Sequence, residues 1–217
     1  MRPAAFIVLF ETLIGSLLLG AAGRIDLPWV WALLGIHATA MVIMVAAMDP
    51  DLRRERLVRK RDGGCDRRLR ALITVCILVH LVLAGLDVRW GWSPAFPFWV
   101  HALALIIYSA AIAFAIRAMI VNRFFAPAVR IQSERGHETV TAGPYRFVRH
   151  PGYAGMLLAV VAESFVFGSL WALVPAAALA GVVAWRTARE DRMLRAQLAG
   201  YADYASRVRY RLVPAVW

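Results

Sequence analysis

YAGMLLAVVAESFVFGSLWALVPAAALAGVVA, residues 153–184, contains a single charged side chain, Glu163. As one helix it would extend about 48 Å at 1.5 Å per residue, too long for a hydrocarbon core of about 30 Å without strong tilt. A single crossing would also carry the arginine-rich residues 185–217 to the face opposite the other basic segments, against the charge rule for membrane proteins. A hairpin of two short helices, turning near Phe167-Gly168-Ser169 and kinked at Pro175 on its return arm, removes both conflicts. Its two ends then share one face, and residues 141–155 face residues 185–217.

Outward from this stretch the chain keeps the same character. Of its 217 residues 61% are hydrophobic, and the mean hydropathy is +0.61. That excludes a disordered protein and exceeds the apolar share of a soluble domain. Apolar runs at about Ala4–Ala22, Leu27–Met48, Ala71–Leu86 and Phe98–Ile120 are spans, the third of them short. Trp29, Trp31, Trp90 and Trp92 suit interfacial positions. The fold expected is an all-α integral membrane protein with five to six transmembrane helices, the C-terminal hairpin included. Residues 1–120 form one region, with an arginine-rich loop at 49–70 that contains Gly63-Gly64 and an amphipathic helix around Leu52–Val58. Residues 121–217 form a second, ending in an amphipathic helix over Trp185–Leu198 that Gly200 stops.

Charge fixes the expected orientation. The net charge is +11, and of 25 Lys and Arg nine lie in 49–70, five in 121–152 and seven in 185–217. Basic segments flanking apolar spans predict that these three, with the N-terminus, face the cytoplasm. They do not form a separate basic domain, so no nucleic-acid partner is expected. Arginine and alanine richness points to a high-GC bacterium and hence to its inner (plasma) membrane. The N-terminal apolar run lacks a convincing cleavage site and reads as a retained helix. Cys65, in the basic loop, and Cys76, inside a span, are not expected to pair, and no cysteine cluster suggests a metal. No obligate protein partner is evident.

The chemistry concentrates in Thr141-Ala142-Gly143-Pro144-Tyr145-Arg146-Phe147-Val148-Arg149-His150-Pro151-Gly152-Tyr153-Ala154-Gly155. A polar and aromatic cluster at the mouth of an apolar span is where a water-soluble cofactor meets a lipid-soluble substrate. Pro151 fixes the backbone at the membrane entry, and Gly152 and Gly155 allow close approach. Tyr145 and Tyr153 are either interfacial anchors or a stacking surface for a purine. Arg186 and Glu190, four apart, share a helix face, with Asp191 beside them. Alone they read as a solvated pair. Brought back by the hairpin, a carboxylate there holds ribose hydroxyls or an ammonium, and an arginine holds a carboxylate.

The run His137-Glu138-Thr139-Val140-Thr141-Ala142-Gly143-Pro144-Tyr145, then Arg149-His150-Pro151-Gly152-Tyr153-Ala154-Gly155, resembles the isoprenylcysteine carboxyl methyltransferase family. So does the tail, with Arg186, Glu190-Asp191, Leu194, Gly200-Tyr201, Tyr204 and Leu212-Val213-Pro214. Membrane phospholipid N-methyltransferases share the broad pattern. The resemblance covers about residues 121–214. It implies methyl transfer from S-adenosylmethionine to the carboxylate of a lipophilic, isoprenoid or prenyl-thiol-like acceptor at the cytoplasmic face, with residues 121–217 as the methyltransferase region. Carried over by position, Gln132 and His137, Glu138, Thr139 and Val140 contact the cofactor. Tyr145, His150, Pro151, Gly152 and Tyr153 complete its pocket, Glu190 forms the opposite wall, and Arg186 positions the substrate carboxylate. Asp191 stands where the family often has a second glutamate.

A carboxylate acceptor needs placement more than acid–base help, whereas an amine acceptor needs a base, for which His150 or Glu190 are the candidates. The rival readings are a phospholipid N-methyltransferase, a non-catalytic membrane scaffold, and a reductase using a nicotinamide cofactor in a similar fold. Glu163, and to a lesser degree Glu11, are intramembrane carboxylates and so candidates for a substrate tunnel. His37 and His101 have no companion ligands in sequence and read as hydrogen-bonded interior residues.

Overall fold

A computed structural model describes residues 3–57, 64–126 and 130–217. It is 74% helix, without strands among the described residues. Eight α-helices run in order through them: α1 (Pro3–Ala22), α2 (Pro28–Ala47), α3 (Pro50–Leu57), α4 (Gly64–Trp90), α5 (Phe98–Val121), α6 (Pro151–Phe167), α7 (Leu173–Gln197) and α8 (Tyr201–Arg207). Four of them, α1, α2, α4 and α5, are long and apolar enough to cross a membrane, and α6 is a shorter apolar helix of 17 residues. The protein is an all-α integral membrane protein.

The hairpin is present. Gly168 adopts φ +75°, the left-handed conformation that an α-helix C-terminus favours, and its N–H closes back on the Phe165 and Ser164 carbonyls. Pro175 does not kink the return arm as expected. It falls in the first turn of α7, where a backbone N–H has no intrahelical acceptor in any case, so it helps to start the helix. The return arm and the expected amphipathic tail helix are also not separate. They form one 25-residue helix, α7, which carries Arg186 and Glu190 rigidly beyond the apolar part. Gly200, at φ +75°, separates it from the short α8.

The third span differs as well. Its apolar run is short, but α4 has 27 residues because the basic stretch from Gly64 onward is already helical. Arg67, Arg68 and Arg70 therefore sit on a helix, not in a loop. Of the expected amphipathic segment, Pro50–Leu57 is helix α3, while Val58, Gly63 and the side chain of Cys65 lie outside the described residues. Cys76 is a free thiol.

The N-terminal helices hold the hairpin's turn through its backbone and hydroxyls. His101 Nδ1 lies 2.9 Å from the Val166 carbonyl and His80 Nδ1 lies 3.0 Å from that of Ala172. Ser93 Oγ accepts the Leu170 N–H, and Ser169 donates to the buried Asp87 carboxylate. His37 pairs with Glu11 at 2.6 Å between α1 and α2. Unpaired polar groups cost several kcal/mol each in hydrocarbon, so these contacts set the register of the hairpin. Its first arm, α6, lies against α5 at Gly155, where an added Cβ would meet the Ala111 carbonyl at 2.7 Å. This close approach brings the end of α5, the start of α6 and the polar end of α7 to one place.

A cavity where three helices end

At that junction lies a cavity of about 420 Å³. Its bundle side is mostly apolar, with Ile73 from α4, Ala115 and Met119 from α5 and Met156 from α6, beside Arg70 of α4. Its other walls are polar and aromatic, with Glu138, Thr139, Tyr145, His150, Arg186, Glu190, Tyr201 and Tyr204 among them. A chamber with one hydrocarbon wall and one hydrogen-bonding wall admits an amphiphilic pair of ligands.

Of the twelve residues expected at the site, ten line this cavity: His137, Glu138, Thr139, Val140, Tyr145, His150, Gly152, Tyr153, Arg186 and Glu190. Two do not. Pro151 is buried in the first turn of α6. Gln132 is buried behind the wall. Its amide donates to the Phe124 carbonyl at 2.8 Å, its side-chain oxygen accepts from Arg135, and its backbone N–H donates to His137 Nδ1 at 3.3 Å. Gln132 thus fixes the turn that presents His137. Glu163 also lies away from the cavity, its Oε2 3.8 Å from His80 Nε2 inside the bundle.

The polar wall is organised around Tyr153. Arg186 Nε donates to the Tyr153 hydroxyl at 2.7 Å, and that hydroxyl donates to Glu190 Oε2 at 2.8 Å. One phenol therefore sets the distance between a guanidinium and a carboxylate on neighbouring turns of α7. The His150 ring lies nearly parallel to that of Tyr153, with centroids 6.0 Å apart. Its buried Nε2 lies 3.6 Å from Asp191 Oδ1, just beyond hydrogen-bond distance. Opposite, the Tyr145 hydroxyl accepts from Asn122 Nδ2 at 2.9 Å, which leaves its own O–H as a donor for a ligand. Burial pushes that hydroxyl above the ordinary tyrosine range, so it stays protonated. Burial also lowers the basicity of His137, helped by the charges of Arg130 and Arg135, and keeps the ring neutral.

Sequence reading missed what Asp191 does. It is fully buried and receives Arg149 Nε at 2.7 Å, Arg149 Nη2 at 3.2 Å, the Tyr201 hydroxyl at 2.9 Å, and Arg195 and Arg211 at 3.2 Å each. Burial alone would raise its pKa. The hydrogen-bonding contributions of His150 and Arg149, with the Arg149 charge and Tyr201, overcome that and hold the carboxyl well below the usual range. Arg149 also donates to the Val208 and Arg209 carbonyls, and the backbone N–H groups of Arg149 and His150 donate to the Tyr210 and Arg211 carbonyls. The chain after α8 is thereby strapped across the motif. Adjacent positions on a helix point about 100° apart, so Glu190 faces the cavity while Asp191 faces this strap. Asn122, Phe125 and Met193 also line the cavity and belong to no motif the sequence displays.

Fold and site define an all-helical integral membrane protein with an amphiphilic cavity at one end of its helices. Residues 99–196 match the family model of the isoprenylcysteine carboxyl methyltransferase (ICMT) family, and that match supports a membrane methyltransferase. The matched segment contains α6 and nearly all of α5 and α7, three of the helices that line the cavity. No curated protein is similar enough to the chain to match it.

Proposed function

We propose that the protein transfers the methyl group of S-adenosylmethionine to the carboxylate of a lipophilic acceptor at the cytoplasmic face of the membrane. The observation that carries this reading is the Arg186–Tyr153–Glu190 chain on the cavity wall. It holds a carboxylate-binding cation and a hydroxyl-binding anion at fixed separation beside an apolar entrance. The donor set fits the cofactor: Glu190 and Glu138 for ribose hydroxyls and the ammonium, the Tyr145 hydroxyl and the His150 ring for further polar atoms, and Tyr201 and Tyr204 for ring contacts. Bound there, S-adenosylmethionine supplies an activated methyl on its sulfonium.

The residues of this chain then do three things. Arg186 orients the acceptor carboxylate, the bundle-side wall of Ile73, Ala115, Met119 and Met156 takes its hydrocarbon, and Tyr153 restrains Arg186 from fully neutralising the nucleophile. Placement of this kind supplies most of the acceleration when the nucleophile is already ionised. The asymmetric charge of the three basic segments supports the cytoplasmic orientation, and a small lipid-like carboxylate in a bacterial inner membrane is the acceptor class. Membranes containing the protein, given methyl-labelled S-adenosylmethionine, should place label in the lipid extract and release it as methanol on mild alkali. Alkali-stable label in a phospholipid headgroup would overturn the carboxylate assignment. It would favour N-methylation, with His150 Nε2 as base.

A further inference from the structure

On another face of α5 from the cavity, an open groove of about 540 Å³ runs between α2 and α5. Trp29 of α2 packs on Phe98 and His101 of α5, so the two helices run parallel toward the end that carries the cavity. The groove extends over residues 32–43 of α2 and 109–120 of α5. Eleven residue steps make about 16 Å on each helix, which matches one leaflet of a hydrocarbon core about 30 Å thick. Its surface is apolar along that length. The two hydroxyls on it are both turned back to their own helices, Thr39 Oγ1 to the Gly35 carbonyl at 2.8 Å and Ser109 Oγ to that of Leu105 at 2.7 Å. A Cβ added at Gly35 would meet nothing within 4 Å.

One charge breaks the pattern. Arg117 lines the groove near its cavity-side end and is exposed, and among the described residues no carboxylate or hydrogen-bond partner engages it. It stands four residues before the end of α5, about 6 Å short of the helix's last residue. An arginine at that depth reaches the headgroup level by extending its side chain along the helix. An arginine inside a span is costly unless something anionic meets it there.

We infer that the α2–α5 groove binds one anionic phospholipid of the leaflet on the cavity side, an acyl chain against Gly35, Thr39 and Ile43 and the phosphate on Arg117. A leaflet-deep apolar trough with a single cation at its polar end is complementary to that amphiphile and to its charge. Nothing in this site depends on the methyl-transfer reading.

The test uses the full-length protein, delipidated in a neutral detergent, titrated with dioleoyl phosphatidylglycerol or dioleoyl phosphatidylcholine and counted by native mass spectrometry. Wild type should retain one more phosphatidylglycerol than Arg117→Gln, whose affinity falls about fivefold. Gly35→Leu should lose the same lipid while keeping its wild-type melting curve, since the new side chain enters open space. Equal phosphatidylglycerol counts in wild type and Arg117→Gln, or equal retention of phosphatidylcholine, would overturn the proposal. So would a dimer that Gly35→Leu converts to monomer, since a second copy would then cover the face.

Discussion

Tyr153 and Glu190 are 37 positions apart in sequence and meet through a 2.8 Å hydrogen bond on the wall of the cavity. The hairpin makes that meeting. The first arm starts at the Tyr153 turn, the second overshoots the apolar region by three turns, and the overshoot carries Arg186 and Glu190 back to the level of the motif.

Removing the phenol oxygen tests that arrangement. Tyr153→Phe keeps the ring against His150 but leaves Arg186 and Glu190 unlinked in a partly buried site. Hydrogen bonds to charged groups contribute about 1.5–3 kcal/mol, so methyl transfer should fall roughly 10- to 100-fold with the melting temperature little changed. Methyl transfer at the wild-type rate would remove Tyr153 from the account.

Asp191→Ala should act on the fold before it acts on the site. Deleting one partner of a buried ion pair costs about 3–5 kcal/mol, and here it strands the buried Arg149 and releases the strap at 208–211. The measurement is thermal unfolding in detergent, together with proteolysis of the C-terminal residues, which should become fast. Since the folded pKa of Asp191 is depressed, its contribution is present above the ordinary carboxylate pKa of about 4 and is lost as pH falls below that toward the folded value.

His137 predicts a separate acid response at milder pH. Its folded pKa lies below the ordinary 6.5, so the folded state holds the neutral ring, whose Nδ1 accepts the Gln132 N–H. Stability should be flat from pH 8 to 7 and decline as pH drops below about 6.5, because the unfolded chain takes up the proton first. His137→Asn keeps an acceptor but cannot titrate, and it should make this decline shallower. An unchanged pH profile in that variant would show that His137 is not the group responsible.

Close approach of α5 and α6 gives a fourth expectation. Gly155→Ala forces its methyl against the Ala111 carbonyl and the Ala115 side chain, and overpacking of this kind costs about 1–3 kcal/mol. Gly181→Ala, on α7 where an added Cβ meets nothing within 4 Å, should be neutral. Melting curves of the two variants side by side decide it, and equal melting temperatures would mean that the helices simply move apart.

Much of this was legible in the chain itself. Apolar blocks and Gly168 are local signals, so the spans and the hairpin could be read from them. The His150-Pro151-Gly152-Tyr153 run and the Arg186/Glu190 spacing likewise named most of the cavity wall. Three things were not legible, each for a physical reason. The helical start of α4 was hidden because arginines at Arg67, Arg68 and Arg70 look like loop in a hydropathy scan yet are good helix formers. The division of labour between Glu190 and Asp191 depends on which side of α7 faces the cavity, and that is set by packing against α6, not by local composition. Gln132 carries no signal that separates a ligand contact from a backbone latch, and burial makes it the latch.

The most direct test of the central claim is calorimetric titration of S-adenosylhomocysteine into detergent-purified wild type and Glu190→Ala. The account predicts one saturable site in wild type, and binding weakened at least tenfold in the variant with its melting curve retained. A folded wild type that takes up no S-adenosylhomocysteine would contradict it.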